Sequence, residues 1–152
     1  MVAKVFKDVG EVAGAYSGLA RKVLDYSVTM KRLVDAAKQP GFSVESWAPL
    51  AEFVDTGAFQ RVGNFLEVMS WREYVEFLTK WAMSSEWEGS FKRVTEHDGV
   101  VWLELEERSR VGEHASTVNS VSVYEFNPAG KLVHLDIYLQ MQPMPAEMMQ
   151  AY

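Results

Sequence analysis

The sequence predicts an α+β fold in which helices precede long antiparallel strands, and three observations support this class. Residues 11–37 repeat apolar side chains every three or four positions, as an amphipathic helix does. Residues 86–141 instead alternate apolar and polar side chains, as half-buried strands do. Between two of these strands, His97-Asp98-Gly99 is a tight-turn sequence that favours an antiparallel hairpin. Helices followed by antiparallel strands are typical of the α+β class.

Two helices are expected in the first third of the chain. The first covers residues 11–37 and is stopped by residues 38–41, because the proline in this stretch disfavours helix at the residue before it. The second covers residues 43–54. It has to begin near Ser46, because Pro49 is tolerated only in the first turn of a helix.

A strand and a third helix are expected next. Residues 58–69 alternate apolar and polar side chains and predict one strand with a bend or bulge at Gly63-Asn64. Residues 70–85 then carry apolar positions on one helical face. Ser70 and Glu73 have the spacing of a capping box, which predicts that the helix begins there.

Four long strands complete the chain. They are expected at residues 86–96, 100–111, 116–126 and 131–141. Residues 127–130, Asn-Pro-Ala-Gly, form the turn between the last two strands. If this turn pairs its flanks directly, Tyr124 faces Val133 and Ser122 faces Leu135.

Composition limits the class of protein. The chain has 152 residues, of which 48% are hydrophobic and 24% charged, so a single globular domain with a substantial core is expected. The net charge of −6 and the scattered basic residues argue against nucleic-acid binding. Cysteine is absent, and the three histidines lack metal-ligand spacing, so neither disulfides nor a metal site is expected. No apolar run is long enough for a signal or a membrane span, and a cytoplasmic location is expected.

The element order, together with the motif YEFNPAGKLVHLDIYLQ at residues 124–140, resembles the nuclear transport factor 2-like superfamily. The similarity is to its SnoaL-like branch, which includes polyketide cyclases, ketosteroid isomerase and limonene epoxide hydrolase. It covers about residues 20–142 of a domain expected to span residues 1–152, with a Met- and Pro-containing tail at residues 143–152. The resemblance implies a curved antiparallel sheet wrapped around the N-terminal helices as a cone, a ligand pocket inside it, and a homodimer.

The catalytic residues of the known enzymes are mostly absent from the matching positions. The places of the epoxide hydrolase triad look like Glu104, Glu106 and Ile137, which do not form an arginine with two aspartates. The two aspartate positions of ketosteroid isomerase look like Ser122 and Arg61. The resemblance therefore leaves open whether the chain is an enzyme.

Residues 102–110, WLELEERSR, allow two orientations of one strand. From alternation alone, Leu103 and Leu105 belong in the core and the charges face water. The family resemblance instead turns Trp102 and the charged residues into the cone. Following the resemblance, we expect the catalytic candidates to be Glu104, Glu106 and Arg108, with Arg108 holding one glutamate ionised and Glu104 acting as a general acid or base.

The two faces of the sheet then have different expected roles. The pocket is expected to be lined by Arg61, Trp102, Ser120, Ser122, Tyr124, Leu135 and Ile137. The dimer interface is expected on the reverse face, at Leu103, Leu105, Val121, Val123 and Tyr138. Apolar residues on both faces favour a sheet that is covered twice.

Three functions are compatible with these features. The chain could be an isomerase, cyclase or hydrolase of a small apolar molecule, a non-catalytic binder of such a molecule, or a dimeric protein-interaction domain. No cofactor is expected, because the sequence has no phosphate loop and no dinucleotide motif. Met141, Met144, Met148 and Met149 could form an adaptable lid over an apolar site, or simply an ordinary chain terminus.

Overall fold

One seven-stranded sheet and its helices make up the computed structural model, which describes residues 7–143. The helices are α1 (Val9–Val12), α2 (Gly18–Ala36), α3 (Ala48–Ala51) and α4 (Trp71–Ser84), with single 3-10 turns at Ala13–Ala15 and Val44–Trp47. The strands are β1 (Lys7–Asp8), β2 (Gln60–Val62), β3 (Val68–Ser70), β4 (Ser85–His97), β5 (Val100–Val111), β6 (His114–Phe126) and β7 (Leu132–Gln140). This arrangement confirms the predicted α+β class.

The strands follow the order β1-β4-β5-β6-β7-β2-β3. Neighbouring strands are antiparallel except for β2, which runs parallel to β7. The pairing of β4 with β5 shifts between Phe91 and Arg93, which leaves Lys92 as a bulge. A bulge bends its strand and increases the local twist. The curved sheet encloses α2, which packs against β4 and β5, so the predicted cone is confirmed.

The first helix is shorter than predicted. The chain is extended at Tyr16 and Ser17, and Gly18 has a φ of +64°, so the helical residues before this point are separate from α2. Glu96 at the end of β4 accepts a hydrogen bond from the Ala20 amide at 2.8 Å. A side chain distant in sequence thus satisfies one of the free amides at the start of α2.

Two other predicted elements are broken up. The helix expected at residues 43–54 is a 3-10 turn followed by α3, and the buried Trp47 ties it to α4 by donating to the Thr79 hydroxyl at 2.9 Å. The prediction of a single strand at residues 58–69 is wrong. It is a hairpin of β2 and β3, because the Gly63 amide donates to the Glu67 carbonyl and closes a tight loop.

The turn and cap chemistry agrees with the sequence. At the start of α4, Ser70 and Glu73 form the predicted capping box, with hydrogen bonds of 3.2 and 3.1 Å. At the β4–β5 hairpin, Asp98 and Gly99 have φ values of 47° and 77°. Two consecutive residues with positive φ are characteristic of the type I′ turn. Short-range signals therefore place these boundaries well.

The pairing of β6 with β7 differs from the prediction by two residues. Tyr124 faces Leu135 rather than Val133, and Ser122 faces Ile137. The turn pairs Phe126 with Leu132 rather than Lys131, and a bulge at Val133 adds the second residue of the shift. Because side chains alternate with a period of two, the residues beyond the bulge stay on their predicted faces.

The predicted orientation of β5 is wrong. Val101, Leu103 and Leu105 are at most 5% exposed and face the helices, whereas Trp102 and Glu104 lie on the opposite, outer face and are half-buried. Burying these apolar side chains removes far more apolar surface from water than burying the carboxylates would. The orientation expected from alternation alone is the one observed.

Three of the four methionines of the possible lid, Met144, Met148 and Met149, lie outside the described residues. The fourth, Met141, is 47% exposed. Within residues 7–143, no helix combines the length and the apolar character that crossing a membrane requires.

Neighbouring substitutions on β5 can test its orientation. Leu103→Ala should lower the free energy of unfolding by about 2 to 5 kcal/mol, because it leaves a cavity in the core. Glu104→Ala should cost less than about 1 kcal/mol, because its ion-pair partner Arg93 is 75% exposed and such pairs contribute little. Urea unfolding of both variants measures the difference. Equal losses would contradict the assigned faces.

Candidate functional site

The inner face of the sheet carries rows of residues that run across the strands. Val101 of β5 faces Tyr124 of β6, which faces Leu135 of β7, which in turn faces Arg61 of β2. Residues opposite each other in a sheet point to the same side. This row therefore places Arg61, Tyr124 and Leu135 together in the cone.

A second row lies one step further along the strands. Leu103 faces Ser122, and Ser122 faces Ile137; beyond it, Leu105 faces Ser120. Ser120 and Ser122 are buried, at 2% and 9% exposure. The predicted pocket residues of β2, β6 and β7 thus share the inner face, whereas Trp102 does not.

Arg61 is held against aromatic rings of α4. Its guanidinium carbon lies 5.0 Å from the centre of the Tyr74 ring and 5.9 Å from that of Phe77. Its Nη1 lies 3.6 Å from Glu67 Oε1, which is too long for a hydrogen bond. The Nε and Nη1 atoms are buried and have no hydrogen-bond partner within residues 7–143. Arg61 therefore brings unused donors to the inner face.

Three tyrosines gather near Arg61. Tyr26 of α2, Tyr74 and Tyr124 are at most 6% exposed, and the rings of Tyr26 and Tyr124 meet edge to face at 5.7 Å. The Tyr26 hydroxyl is buried and has no partner among the described residues. Burial raises the pKa of all three phenols, and their proximity to one another adds to this for Tyr26 and Tyr124. Near neutral pH the three hydroxyls are therefore protonated and able to donate hydrogen bonds.

Glu107 is the carboxylate on the inner face of β5. It lies two residues beyond Leu105, on the same side of the strand, and is half-buried. The Trp87 indole donates to Glu107 Oε1 at 2.8 Å. After burial and other neighbours, the charge of Glu107 is among the factors that raise the pKa of Tyr74 and Tyr124. Sequence reasoning missed Glu107, although its alternation with Leu103 and Leu105 was the signal.

The interior thus has a donor end and an acceptor end. Arg61 and Tyr26 supply unpaired donors at one end, and Glu107 supplies a carboxylate at the other. Tyr74 interacts with both: burial raises its pKa, the charge of Arg61, 5.0 Å from its ring centre, lowers it, and the charge of Glu107 raises it. Such an arrangement can bind an oxygen atom at one point and move a proton at another.

The predicted catalytic trio lies on the outer face of the sheet. Glu104 pairs with Arg93 at 2.7 Å, and Arg108 pairs with Glu106 at 2.9 Å. Arg108 also donates to the Ser90 hydroxyl at 2.8 Å. The expected contact between Arg108 and a glutamate exists, but these residues point away from the cone, because the buried leucines of β5 occupy the inner side. Their prediction as an internal site is wrong.

The predicted dimer interface is divided between the two faces. Leu103 and Leu105 are in the core, so their assignment to the interface is wrong. Val121, Val123 and Tyr138 do lie on the outer face, where Trp102 joins them, since Trp102 faces Val123 and Val121 faces Tyr138. Tyr138 is 59% exposed.

Two clefts lie beside β4, which pairs with β1 only at Ser90 and Phe91 on this edge. Trp87 lines both, and their volumes are about 410 and 520 Å³. The same indole donates to Glu107 Oε1, so the clefts lie near this carboxylate. Within residues 7–143 no group of three or more acidic or histidine side chains is placed to hold a metal ion.

Comparisons with known proteins agree on the fold. No protein-family model matches the sequence, and no curated protein is significantly similar to it. A proposed SnoaL-like polyketide cyclase from Shewanella putrefaciens CN-32 has a TM-score of 0.67 at 11% identity, over 91% of this chain and 92% of that chain. An NTF2-like protein of unknown function from Exiguobacterium sp. 255-15 has a TM-score of 0.59 at 11% identity, over 76% and 98% of the two chains. An M. tuberculosis LEH-like epoxide hydrolase has a TM-score of 0.55 at 13% identity, over 74% and 84%. The chain therefore has the nuclear transport factor 2-like fold that its sequence resembles.

The buried tyrosines should make the protein sensitive to alkali. The unfolded chain releases phenolic protons near pH 10, whereas the folded chain keeps those of Tyr26, Tyr74 and Tyr124. Their contribution to stability is complete below pH 10, and the free energy of unfolding falls as the pH rises further, by about 1.4 kcal/mol per pH unit for each such tyrosine. Tyr124→Phe should reduce this slope by one such increment in urea unfolding between pH 9 and 11. An unchanged slope would contradict the assignment.

Proposed function

We propose that the chain binds a small, largely apolar molecule inside its cone and transfers a proton to or from it, with Glu107 as the acid or base. One observation carries the proposal: the Tyr26 hydroxyl and the Nε and Nη1 atoms of Arg61 are buried and make no hydrogen bond of normal geometry to the described residues, although the Tyr74 hydroxyl is near both side chains. Leaving a buried polar group unpaired costs about 1–3 kcal/mol. Such groups are rare in native structures, and a bound molecule or water is one of the few reasons for their retention.

The proposed division of roles follows from the two ends of the interior. The donor end binds an oxygen of the substrate and stabilises negative charge that develops on it. Glu107, oriented by Trp87, receives or returns the proton at the other end. A positioned acid or base typically contributes about 10²- to 10⁴-fold to a rate. Proton transfer next to a carbonyl group uses both ends at once.

The apolar lining supports a largely hydrocarbon substrate. Leu103, Leu105 and Leu135 are at most 5% exposed and belong to the core on the inner face of the sheet, so the surroundings of the polar groups are apolar. Among the proteins that share this fold, one is named as a proposed polyketide cyclase and another as an epoxide hydrolase. Their names describe those proteins and support a small-molecule role for this chain.

We also propose that the outer face forms a homodimer. Trp102, Val121, Val123 and Tyr138 form a partly exposed apolar strip on this face. An antiparallel sheet with apolar residues on both faces is expected to be covered on both. A second copy of the chain would cover this strip.

Substitution of Glu107 tests the proton-transfer role. Wild-type protein should accelerate the exchange of α-hydrogens for deuterium in at least one member of a panel of cyclic and aromatic ketones, followed by NMR. Glu107→Gln removes the proton acceptor and should slow this exchange by about 100-fold or more. Glu104→Gln is the matched control on the outer face of the same strand, and it should leave the rate unchanged.

Two outcomes would contradict the proton-transfer role. One is an exchange rate that Glu107→Gln does not alter, and the other is the absence of acceleration for every ketone in the panel. Circular dichroism of the variants verifies that each one is folded.

The dimer is tested by placing a charge on the outer apolar strip. Val121→Lys should convert the dimer into a monomer, because an isolated charge in a desolvated interface is unfavourable. Thr117→Lys, on the same face of β6 but outside the strip, should leave the dimer intact. Light scattering at micromolar concentration gives the mass of each. A monomeric wild-type protein would contradict the proposal.

A further inference from the structure

Arg61 carries a positive charge into the cone, and two of its nitrogen atoms lack hydrogen-bond acceptors. Its side chain is only 13% exposed, and its Nε and Nη1 atoms are buried without hydrogen bonds. Its nearest counter-charge, Glu67, stays 3.6 Å away. The second Glu67 oxygen accepts from the Phe65 amide at 2.9 Å. An arginine cannot lose its proton in a protein, so the cation remains charged.

Tyr26 adds a second unpaired donor next to this cation. It is 4% exposed, and its hydroxyl is buried without a partner in the described part of the chain. The Tyr26 ring meets the Tyr124 ring at 5.7 Å, and Tyr124 lies in the same row of the inner face as Arg61. Arg61 can only donate, whereas the Tyr26 hydroxyl can donate or accept, so the ligand must provide an acceptor for Arg61.

The charge of Arg61 distinguishes an anionic acceptor from a neutral one. A neutral carbonyl oxygen would accept hydrogen bonds but would add no negative charge to that of Glu67, which lies 3.6 Å from the guanidinium. An anionic oxygen would do both, and hydrogen bonds between charged partners are roughly twice as strong as neutral ones. The donor end is therefore better matched to an anion.

We propose that the ligand is a small apolar carboxylate whose anionic group binds Arg61 and Tyr26. This inference rests on the proposed function and narrows its substrate class. Arg61 is partly exposed, and the rings of Tyr74 and Phe77 beside it offer the hydrocarbon part of the ligand an aromatic surface.

Matched pairs of probes test the charge preference. Benzoate and 2-naphthoate are compared with benzamide and 2-naphthamide, which keep the ring and replace the anion with a neutral amide. Binding is measured by isothermal titration calorimetry at constant ionic strength. At least one carboxylate should bind about 10-fold or more tightly than its amide, as expected when a charged hydrogen bond is gained.

Three variants assign the preference to residues. Arg61→Gln should weaken carboxylate binding by about 10- to 100-fold and leave amide binding little changed. Tyr26→Phe keeps the ring that packs on Tyr124 and should weaken the carboxylate by about 10-fold. Arg93→Gln, on the outer face, is the matched control and should alter neither.

The outcomes separate this inference from the proposed function. Equal binding of the two probes in each pair, or equal weakening of both by Arg61→Gln, overturns the carboxylate assignment. Absence of carboxylate binding to the wild-type protein overturns it as well. The ketone exchange assay with Glu107→Gln reports on proton transfer alone, so either proposal can fail without the other. If Arg61→Gln does not fold, the effect of Tyr26→Phe on carboxylate binding still tests the assignment.

Discussion

Burial of Val101, Leu103 and Leu105 on one face of β5 is the constraint on which the rest of the sheet depends. Each such side chain contributes about 1.5–3 kcal/mol when it is fully removed from water. Once these three face α2, the period of two assigns every other residue of β5 to a face, and strand pairing extends the assignment to β6, β7 and β2. The same constraint that builds the core turns Glu107 inward and leaves Glu104 outside.

The interior combines this apolar core with polar groups that the core does not need. The Tyr26 hydroxyl and the Nε and Nη1 atoms of Arg61 are buried and make no hydrogen bond to the described chain. Their burial therefore lowers stability relative to a fully apolar core. Proteins retain such local costs mainly at functional sites, where the surrounding packing is strong enough to support them. Glu107 differs from these two residues, because its carboxylate accepts a hydrogen bond from the Trp87 indole.

The outer face shows why a fold and a function have to be argued separately. Its ion pairs, such as that of Arg93 with Glu104, involve largely exposed partners and are worth about 0–1 kcal/mol. They look like catalytic groups in the sequence but serve as ordinary surface charges. The fold supports many chemistries, as the different names of the proteins that share it illustrate. We therefore base the proposed function on the side chains of this chain's own inner face.

The sequence by itself determined the elements whose signals are local: the capping box at Ser70, the Asp98-Gly99 hairpin, the α+β class and the order of the long strands. Its two-residue error in pairing β6 with β7 did no harm, because an even shift keeps every side chain on its face. The wrong orientation of β5 misplaced the predicted site, because a change of face exchanges core residues with surface residues. Only the tertiary structure decided which face α2 covers. For the same reason it alone could bring Arg61, Tyr26 and Glu107 together, since residues so far apart in the chain meet only through packing and leave no periodic signal.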